Sequence, residues 1–445
     1  MKLVLLKTAV TAFWVLFTTM FFVSCDKTPQ ETPLVYLPHT HYSIDLYPDF
    51  QSRSVRVAVI VDLHVPEDGM DRGVFYLNKG MQIKKLVSRD LEGYRFDRST
   101  PGNTPLAVHS GSLYMGFKGK RQKGDMLRFM IGYDGVISAP DSLFITSSTG
   151  DRFLLNRSSG WFPINSSYND FTYEIRVHKG SEPFTVFHPG KTKDVGNYYL
   201  CESVTPGEEI ALLLSKRHTT DTVSDHNRKL TVIGSHDNQE VLHRAGGLCL
   251  SVMSVYSEML QKELPHQILV LVTSQRPDLR FSSDRVFLIH TQRGSRDTEI
   301  SRTISEQIGR LYFNAASSST WNEWLNVSFV EYLRIIALKR QQLPAFYQEI
   351  ASKKLQSATL QPMWDFDVPE EISQYQYDRN MVLMQSKGVL LLHYLSERIG
   401  ESKFLALCRM MIDQRIRTTD EFLLLLQQES DAATAAWFKM LLKSA

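Results

Sequence analysis

The sequence predicts an N-terminal antiparallel β-sandwich followed by a helix-rich α+β domain, and three observations carry that reading. The chain has 445 residues, more than one ordinary core holds, so two folded domains are expected. Hydrophobic residues make up 43% and charged residues 22%, which excludes a mainly disordered or fibrous chain. The spacing of apolar positions changes from alternation to helical periodicity around residue 220.

The first 25 residues read as an export signal. Lys2 and Lys7 form a basic start, and Thr8 to Val23 is an almost unbroken apolar run. That run is about 16 residues, short of the roughly 20 that span a bilayer. Phe22-Val23-Ser24-Cys25 resembles a bacterial lipobox, and the resemblance implies a diacylglyceryl group on Cys25 with cleavage before it. A plain signal peptide or an uncleaved anchor is the alternative. Residues 26–35, DKTPQETPLV, are polar and contain proline, as a tether between lipid and domain would be. Asp26 leaves inner and outer membrane both open. The whole chain carries 50 basic and 48 acidic residues; Lys2 and Lys7 leave with the signal, so 48 of each sign remain. A neutral mature chain argues against a nucleic-acid partner, which needs a basic surplus.

Residues 36–220 read as strands. "YSIDLYPDF" and "SVRVAVIVDLHV" alternate apolar with polar, and "GVFYLNKGMQIKKLV" places Asn78-Lys79-Gly80 as a turn between two strands. "FTYEIRVHK", "FTVFHPGK", "NYYLCESV" and "EIALLLSKR" continue the pattern, with turn residues about every eight to twelve positions, the rhythm of a sandwich. The run from Lys118 to Asp125, KGKRQKGD, reads as a solvated hairpin tip or else a contact for anionic headgroups. Beyond the signal the cysteines are Cys201, Cys249 and Cys408, far apart and without a CxxC. They read as buried free thiols, although an exported chain would permit one disulfide.

Residues 221–445 read as α+β. "EVLHRAGGLCLSVMSVYSEMLQKEL" has helical spacing through Leu248, Val252, Val255 and Met259, and "QILVLVTS" and "RVFLIH" are short buried strands. From Glu299 the chain is helical almost to its end. "EISRTISEQIGRLYF" puts Ile300, Ile304, Ile308 and Leu311 on one stripe, and "WLNVSFVEYLRIIAL" puts Leu325, Phe329, Leu333 and Ile336 on another. "SKGVLLLHYLSERIG" and "DEFLLLLQQ" supply further buried helices.

Taken in order, these pieces resemble the family M1 aminopeptidases, zinc enzymes of the gluzincin group. The opening strands are similar to that family's N-terminal β-domain, and "GWFPINSSYNDFTYEIRV" to its aromatic-Pro step and following strand. "YSEMLQKELPHQILVLV" is similar to the helix–Pro–strand entry into the thermolysin-like domain. "ISEQIGRLYFN" and "WNEWLNVSFVEYL" fall where the family has its zinc helices, and "QSKGVLLLHYLSERIGESKF" where it has its YxKG helix. The resemblance covers residues 36–445 and implies a multidomain β + α/β architecture whose second part is a thermolysin-like domain.

The residues that carry the family's chemistry are replaced. HExxH puts two imidazoles on one helix face to bind one ion, with the Glu between them as general base. The matching positions here are Ser305, Glu306 and Gly309, so the resemblance keeps the base and loses both ligands. The third ligand, the Glu of WLNEGF, is Val327, and the transition-state tyrosine two before KG is Gln385. Nothing like the family's GxMEN string lies between Val286 and Glu299. Zinc is therefore expected to be absent. Glu306 is read as a vestige that needs a cation or water, with Arg310 one turn away as the candidate.

No substitute site stands out. The 13 histidines include no pair three or four apart and none followed by Glu. His39 and His41 lack a third ligand nearby, and His290 and His393 sit in apolar stretches that suit core imidazoles. GxSxG, P-loop and GxGxxG strings are absent. The expectation is a lipid-anchored, catalytically inactive M1-like protein of the bacterial cell envelope, binding a peptide or protein partner through the former cleft or the β-domain. Glu306, Arg310, Glu331 and Lys387 are the candidate cleft residues. The competing readings are a hydrolase with a relocated site, for example Glu306 with Glu331 and His393, and a purely structural envelope module.

Overall fold

A computed structural model describes residues 40–65, 67–99, 110–137, 151–165, 171–207, 209–225, 228–234, 239–264, 268–273, 286–291, 295–316, 320–341, 345–357, 360–366 and 374–444. The export signal, Cys25, the tether and His39 lie outside the described residues.

Alternation folds the first part. In Ser54–His64 the residues Val55, Val57, Val59, Val61 and Leu63 are buried and those between them face outward. This strand lies inside a seven-stranded sheet with the order Lys191–Asp194, Tyr198–Gly207, Phe171–His178, Thr40–Asp49, Ser54–His64, Met126–Val136 and Met81–Val87. The sheet is antiparallel except where Thr40–Leu46 runs parallel to Phe171–Val177. A four-stranded sheet, in the order Leu91–Asp97, Ser110–Arg121, Met70–Asn78 and Ile164–Asn165, shares one apolar core with it. Trp161 and Phe162, the aromatic step before Pro163, are fully buried there, and Tyr42 and Tyr133 donate hydroxyls to the Pro163 and Trp161 carbonyls.

Two turns are corners between the sheets, one of them where a hairpin tip was expected. Asn78-Lys79-Gly80 is a turn, with the Gly80 N–H donating to Asn78 Oδ1 at 2.9 Å. Its flanking strands, however, belong to different sheets. Likewise Lys118–Asp125 joins Ser110–Arg121 in one sheet to Met126–Val136 in the other, and its side chains are largely exposed. Period-two alternation fixes which face of a strand is buried but says nothing about which strand lies beside it.

The second part opens on a mixed sheet of Thr219–Ser224, Lys229–Gly234, Leu269–Thr273 and Val286–His290. Its first pair is antiparallel and the rest are parallel. The sequence reading missed the first two strands, which are short and partly exposed. Helix α1, Gln239–Leu260, connects the parallel pair Lys229–Gly234 and Leu269–Thr273. Leu154, Ala211 and Leu213, from a small three-stranded sheet and its approach, pack on Ile233, Leu271 and Leu288 of the mixed sheet.

The remaining helices are α2 (Asp297–Tyr312), α3 (Trp324–Arg340), α4 (Ala345–Ser357), α5 (Gln374–Leu383), α6 (Val389–Ile399), α7 (Glu401–Asp413), α8 (Thr419–Glu429) and α9 (Ala432–Lys443). They form a second core around Trp324 and Phe329. A wide turn of π geometry, Met384–Gly388, joins α5 to α6. Cys201, Cys249 and Cys408 are free and buried.

Candidate functional site

Helix α2 carries the vestigial motif. Its stripe of Ile300, Ile304 and Ile308 is buried, and a second buried row, Ser301, Ser305 and Gly309, recurs every four residues. That spacing aligns the small residues on one face, which lets α3 come close. An added Cβ at Gly309 would stand 3.0 Å from Val330 Cγ1 and 3.3 Å from Val330 Cα, so a methyl group there would need Val330 to give by a few tenths of an ångström. The Ser305 hydroxyl is fully buried with no hydrogen-bond partner among the described residues, while its carbonyl accepts from Tyr256 Oη on α1 at 2.9 Å. Val327 is partly buried against the helical core.

Glu306 is held by a side chain one turn along. Arg310 Nη2 donates to Glu306 Oε1 at 2.8 Å, and the two side chains are about a quarter exposed (25% and 29%). Arg310 also acts on a carboxyl the sequence reading passed over, Glu323, which burial pushes up to about 7 while Arg310 draws it partway back. Glu323 stands one turn before Val327, so α2 and the start of α3 bring together two carboxyls and one guanidinium. The spacing to Val327 was readable, but the approach to Arg310 across two helices was not.

Gln385 falls in the π turn between α5 and α6 and is partly buried. Ser328 on α3 donates its hydroxyl to the Met384 carbonyl at 2.7 Å, meeting a backbone acceptor of the widened turn. Gly388 is required beside it, because a Cβ there would lie 2.1 Å from Ser328 Oγ.

Two expected cleft residues are instead buried in structural roles. Glu331 accepts from Arg334 at 2.7 and 2.8 Å and from Lys353 on α4 at 2.9 Å. Arg334, 1% exposed, also reaches Glu349, which Arg302 of α2 pairs at 3.3 Å. Burial alone would raise the Glu331 carboxyl, but Arg334 and then Lys353 outweigh it and hold the group at about 2. Lys387 donates to the carbonyls of Gln361 at 3.1 Å and Ser444 at 2.8 Å, tying the residue after α9 to the π turn. A buried ammonium needs acceptors, and backbone carbonyls supply them here.

Two of the candidate histidines are also engaged elsewhere, while the His290 Nδ1 is buried with no hydrogen-bond partner among the described residues. His393 lies 3.3 Å from Tyr332 Oη and 3.5 Å from Glu397, and His41 Nδ1 is 2.8 Å from Thr172 Oγ1. The hydrogen-bond and ion-pair partners described for Glu306, Glu331 and His393 differ, although Glu331 and Glu306 both add to the rise that burial causes in the Tyr256 hydroxyl. Among the described residues no group of three or more His, Cys, Asp or Glu is arranged to hold a metal ion. Tested against a zinc ion, the positions do not fit: one is a buried hydroxyl, one is a glycine with no side-chain donor, one is an isopropyl group, and the carboxylate between them is paired with Arg310. A pocket of about 290 Å³ opens at the end of α2, the start of α3 and the end of α7, lined by Tyr312, Asn314, Leu325, Asn326, Met411 and Arg415. Ser305, Glu306, Gly309 and Val327 do not line it.

The fold has relatives among solved structures. It is similar to an M1 zinc metallopeptidase from Deinococcus radiodurans, with 14% sequence identity, a TM-score of 0.67, and coverage of 92% of this chain and 94% of that one. A point variant of a Deinococcus radiodurans M1 zinc metallopeptidase bound to a Tyr-Ser-Ala substrate matches with a TM-score of 0.63 at 14% identity, covering 91% and 94%. A two-domain M1 zinc metallopeptidase variant bound to L-arginine matches with a TM-score of 0.66 at 14% identity, covering 92% and 94%. The β-rich first part and helical second part correspond to the two-domain fold of these peptidases. No protein-family profile matches the chain, and no curated protein matches it by sequence.

Proposed function

We propose that this chain is a catalytically inactive M1 peptidase-like protein, lipid-anchored through Cys25 in the bacterial cell envelope, that binds a peptide or protein partner through the former cleft or the β-rich region. The observation that carries the proposal is the packing at Gly309. Where the scaffold's relatives are zinc peptidases, this helix presents a bare backbone against Val330. The Glu306–Arg310 pair supports the same reading, because a carboxylate held by a guanidinium is a poor base for a metal-bound water. The lipobox resemblance and polar tether support the anchored location. A scaffold that keeps both cores and has lost the chemistry is the form of a binding module.

The direct test is peptidase activity. The purified chain lacking residues 1–25 should cleave no aminoacyl or peptide substrate, with or without added zinc. Chelator-sensitive cleavage would overturn the proposal. The envelope location is tested by metabolic labelling with a radiolabelled fatty acid: label should enter the full chain and be lost in Cys25→Ser.

A further inference from the structure

The pocket where α2, α3 and α7 meet has apolar side chains in its walls, among them Leu325, Met411 and Ile416, and Arg415 is the charged residue of its lining. At about 290 Å³ it stands at the lower limit of the roughly 300–1,000 Å³ of small-molecule sites, so it suits a ligand smaller than drug-sized. Its walls are held in place. Phe313 stacks on Phe329 of the helical core with ring centres 5.3 Å apart. Asn326 Oδ1 accepts from the Ala316 N–H at 3.2 Å, and Asn326 Nδ2 donates to the Ala316 carbonyl at 2.9 Å. That pair of bonds pins the segment after α2 to the start of α3. Among the described residues no carboxylate lines the pocket, and burial lifts the Tyr312 hydroxyl to about 12, so it stays neutral as well.

The backbone at Arg415 is unusual for its residue type. Helix α7 ends in a paired turn, in which the Arg415 N–H donates to the Ile412 carbonyl at 3.2 Å and the Ile416 N–H to the Met411 carbonyl at 3.0 Å. Such a turn needs one left-handed residue, most often glycine, and here it is Arg415, with φ at 50°. A cation suits the end of a helix, but one residue away it would serve the dipole without the strain. Side chains kept in this conformation cluster at sites where ligands bind. Arg415 is exposed and so within reach of a solute, and a guanidinium has five N–H donors, so a contact elsewhere leaves others for a ligand. One cation set in apolar walls selects a ligand with one negative group and one apolar group, and a carboxylate matches the planar fork of arginine. We propose that this pocket binds a small carboxylate carrying an apolar group, with Arg415 donating to the carboxylate and Leu325, Met411 and Ile416 covering the apolar part. A free acid and the carboxyl end of a peptide both present that chemistry. The proposal is independent of the lost catalysis, because Ser305, Glu306, Gly309 and Val327 lie outside the pocket lining.

The test titrates the chain lacking residues 1–25 with phenylpropionate, phenylpropionamide and phenylpropylamine in a calorimeter. The acid should bind on the order of ten-fold more tightly than the amide, the worth of one hydrogen bond to a charged group, and the amine should not bind. Arg415→Gly should weaken binding of the acid on the order of ten-fold while melting no lower than the parent chain, since glycine is the residue the turn favours. Acetyl-Ala-Ala-Phe with a free carboxyl end separates the two sources of the ligand. Tighter binding than phenylpropionate supports the proposal with a chain end as ligand, and weaker binding supports it with a free acid. No binding of either acid at millimolar concentration, equal binding of acid and amide, or undiminished binding by Arg415→Gly would overturn the proposal. Should Arg415→Gly melt below the parent chain, Arg415→Gln is read by the same binding criteria.

Discussion

Glu331, Arg334, Glu349 and Lys353 form the most deeply buried charge network described, and removing one member exposes how buried charge behaves. Glu331→Gln leaves a guanidinium that is 1% exposed with one carboxylate instead of two, and should cost about 3 kcal/mol in a urea titration. The network also sets an acid limit. The Glu331 carboxyl is held at about 2 when folded, below its ordinary 4.5. Its contribution is therefore full above pH 4.5 and is lost as pH falls toward 2. Glu323 works in the opposite sense, since burial lifts it from 4.5 to about 7. The folded chain then holds a proton the unfolded chain has released, so stability falls as pH rises through that window. Glu323→Gln removes this loss. Its melting temperature should exceed that of the parent chain at pH 8 and approach it at pH 4.5. An equal gain at both pH values would contradict the assignment. By contrast, Glu306→Gln should leave partner binding nearly unchanged, because Arg310 still has an acceptor one turn away.

At the scale of elements, the crossing of α2 and α3 rests on residues too small to get in the way. Gly309→Ala brings a methyl group to 3.0 Å from Val330 Cγ1; an overpacking cost of about 1–3 kcal/mol set against a helix-propensity gain of about 1 kcal/mol should leave the fold destabilised by about 1 kcal/mol. Equal stability in urea would mean the helices separate freely. The helices themselves were legible, because each buried stripe, such as Leu325, Phe329, Leu333 and Ile336, repeats at helical spacing. The strands' buried faces were legible for the same kind of reason. Strand partners were not, as the two sandwich corners at Asn78–Gly80 and Lys118–Asp125 demonstrate. The Glu331–Arg334 pair lies three apart on one helix and was open to reading, whereas Lys353 and Glu349 reach it from α4 across a break in sequence.

For the whole molecule, the two-part fold was legible from a change in apolar period and from the order of weak resemblances. Sequence identity to the similar solved structures is only 14%. Packing tolerates that divergence because cores ask for apolar volume in the right pattern rather than for particular side chains. Chemistry does not tolerate it, since a metal site needs specific donor atoms at fixed positions. The same chain can therefore keep the scaffold while carrying Ser305, Gly309, Val327 and Gln385 at the positions the resemblance assigns to catalysis. Elemental analysis of the chain lacking residues 1–25, purified without chelators, tests this account most directly. Less than about a tenth of an equivalent of zinc per chain is the expected result, a tetrahedral site being out of reach without its ligands. Close to one equivalent would contradict it and place metal ligands somewhere other than these four positions.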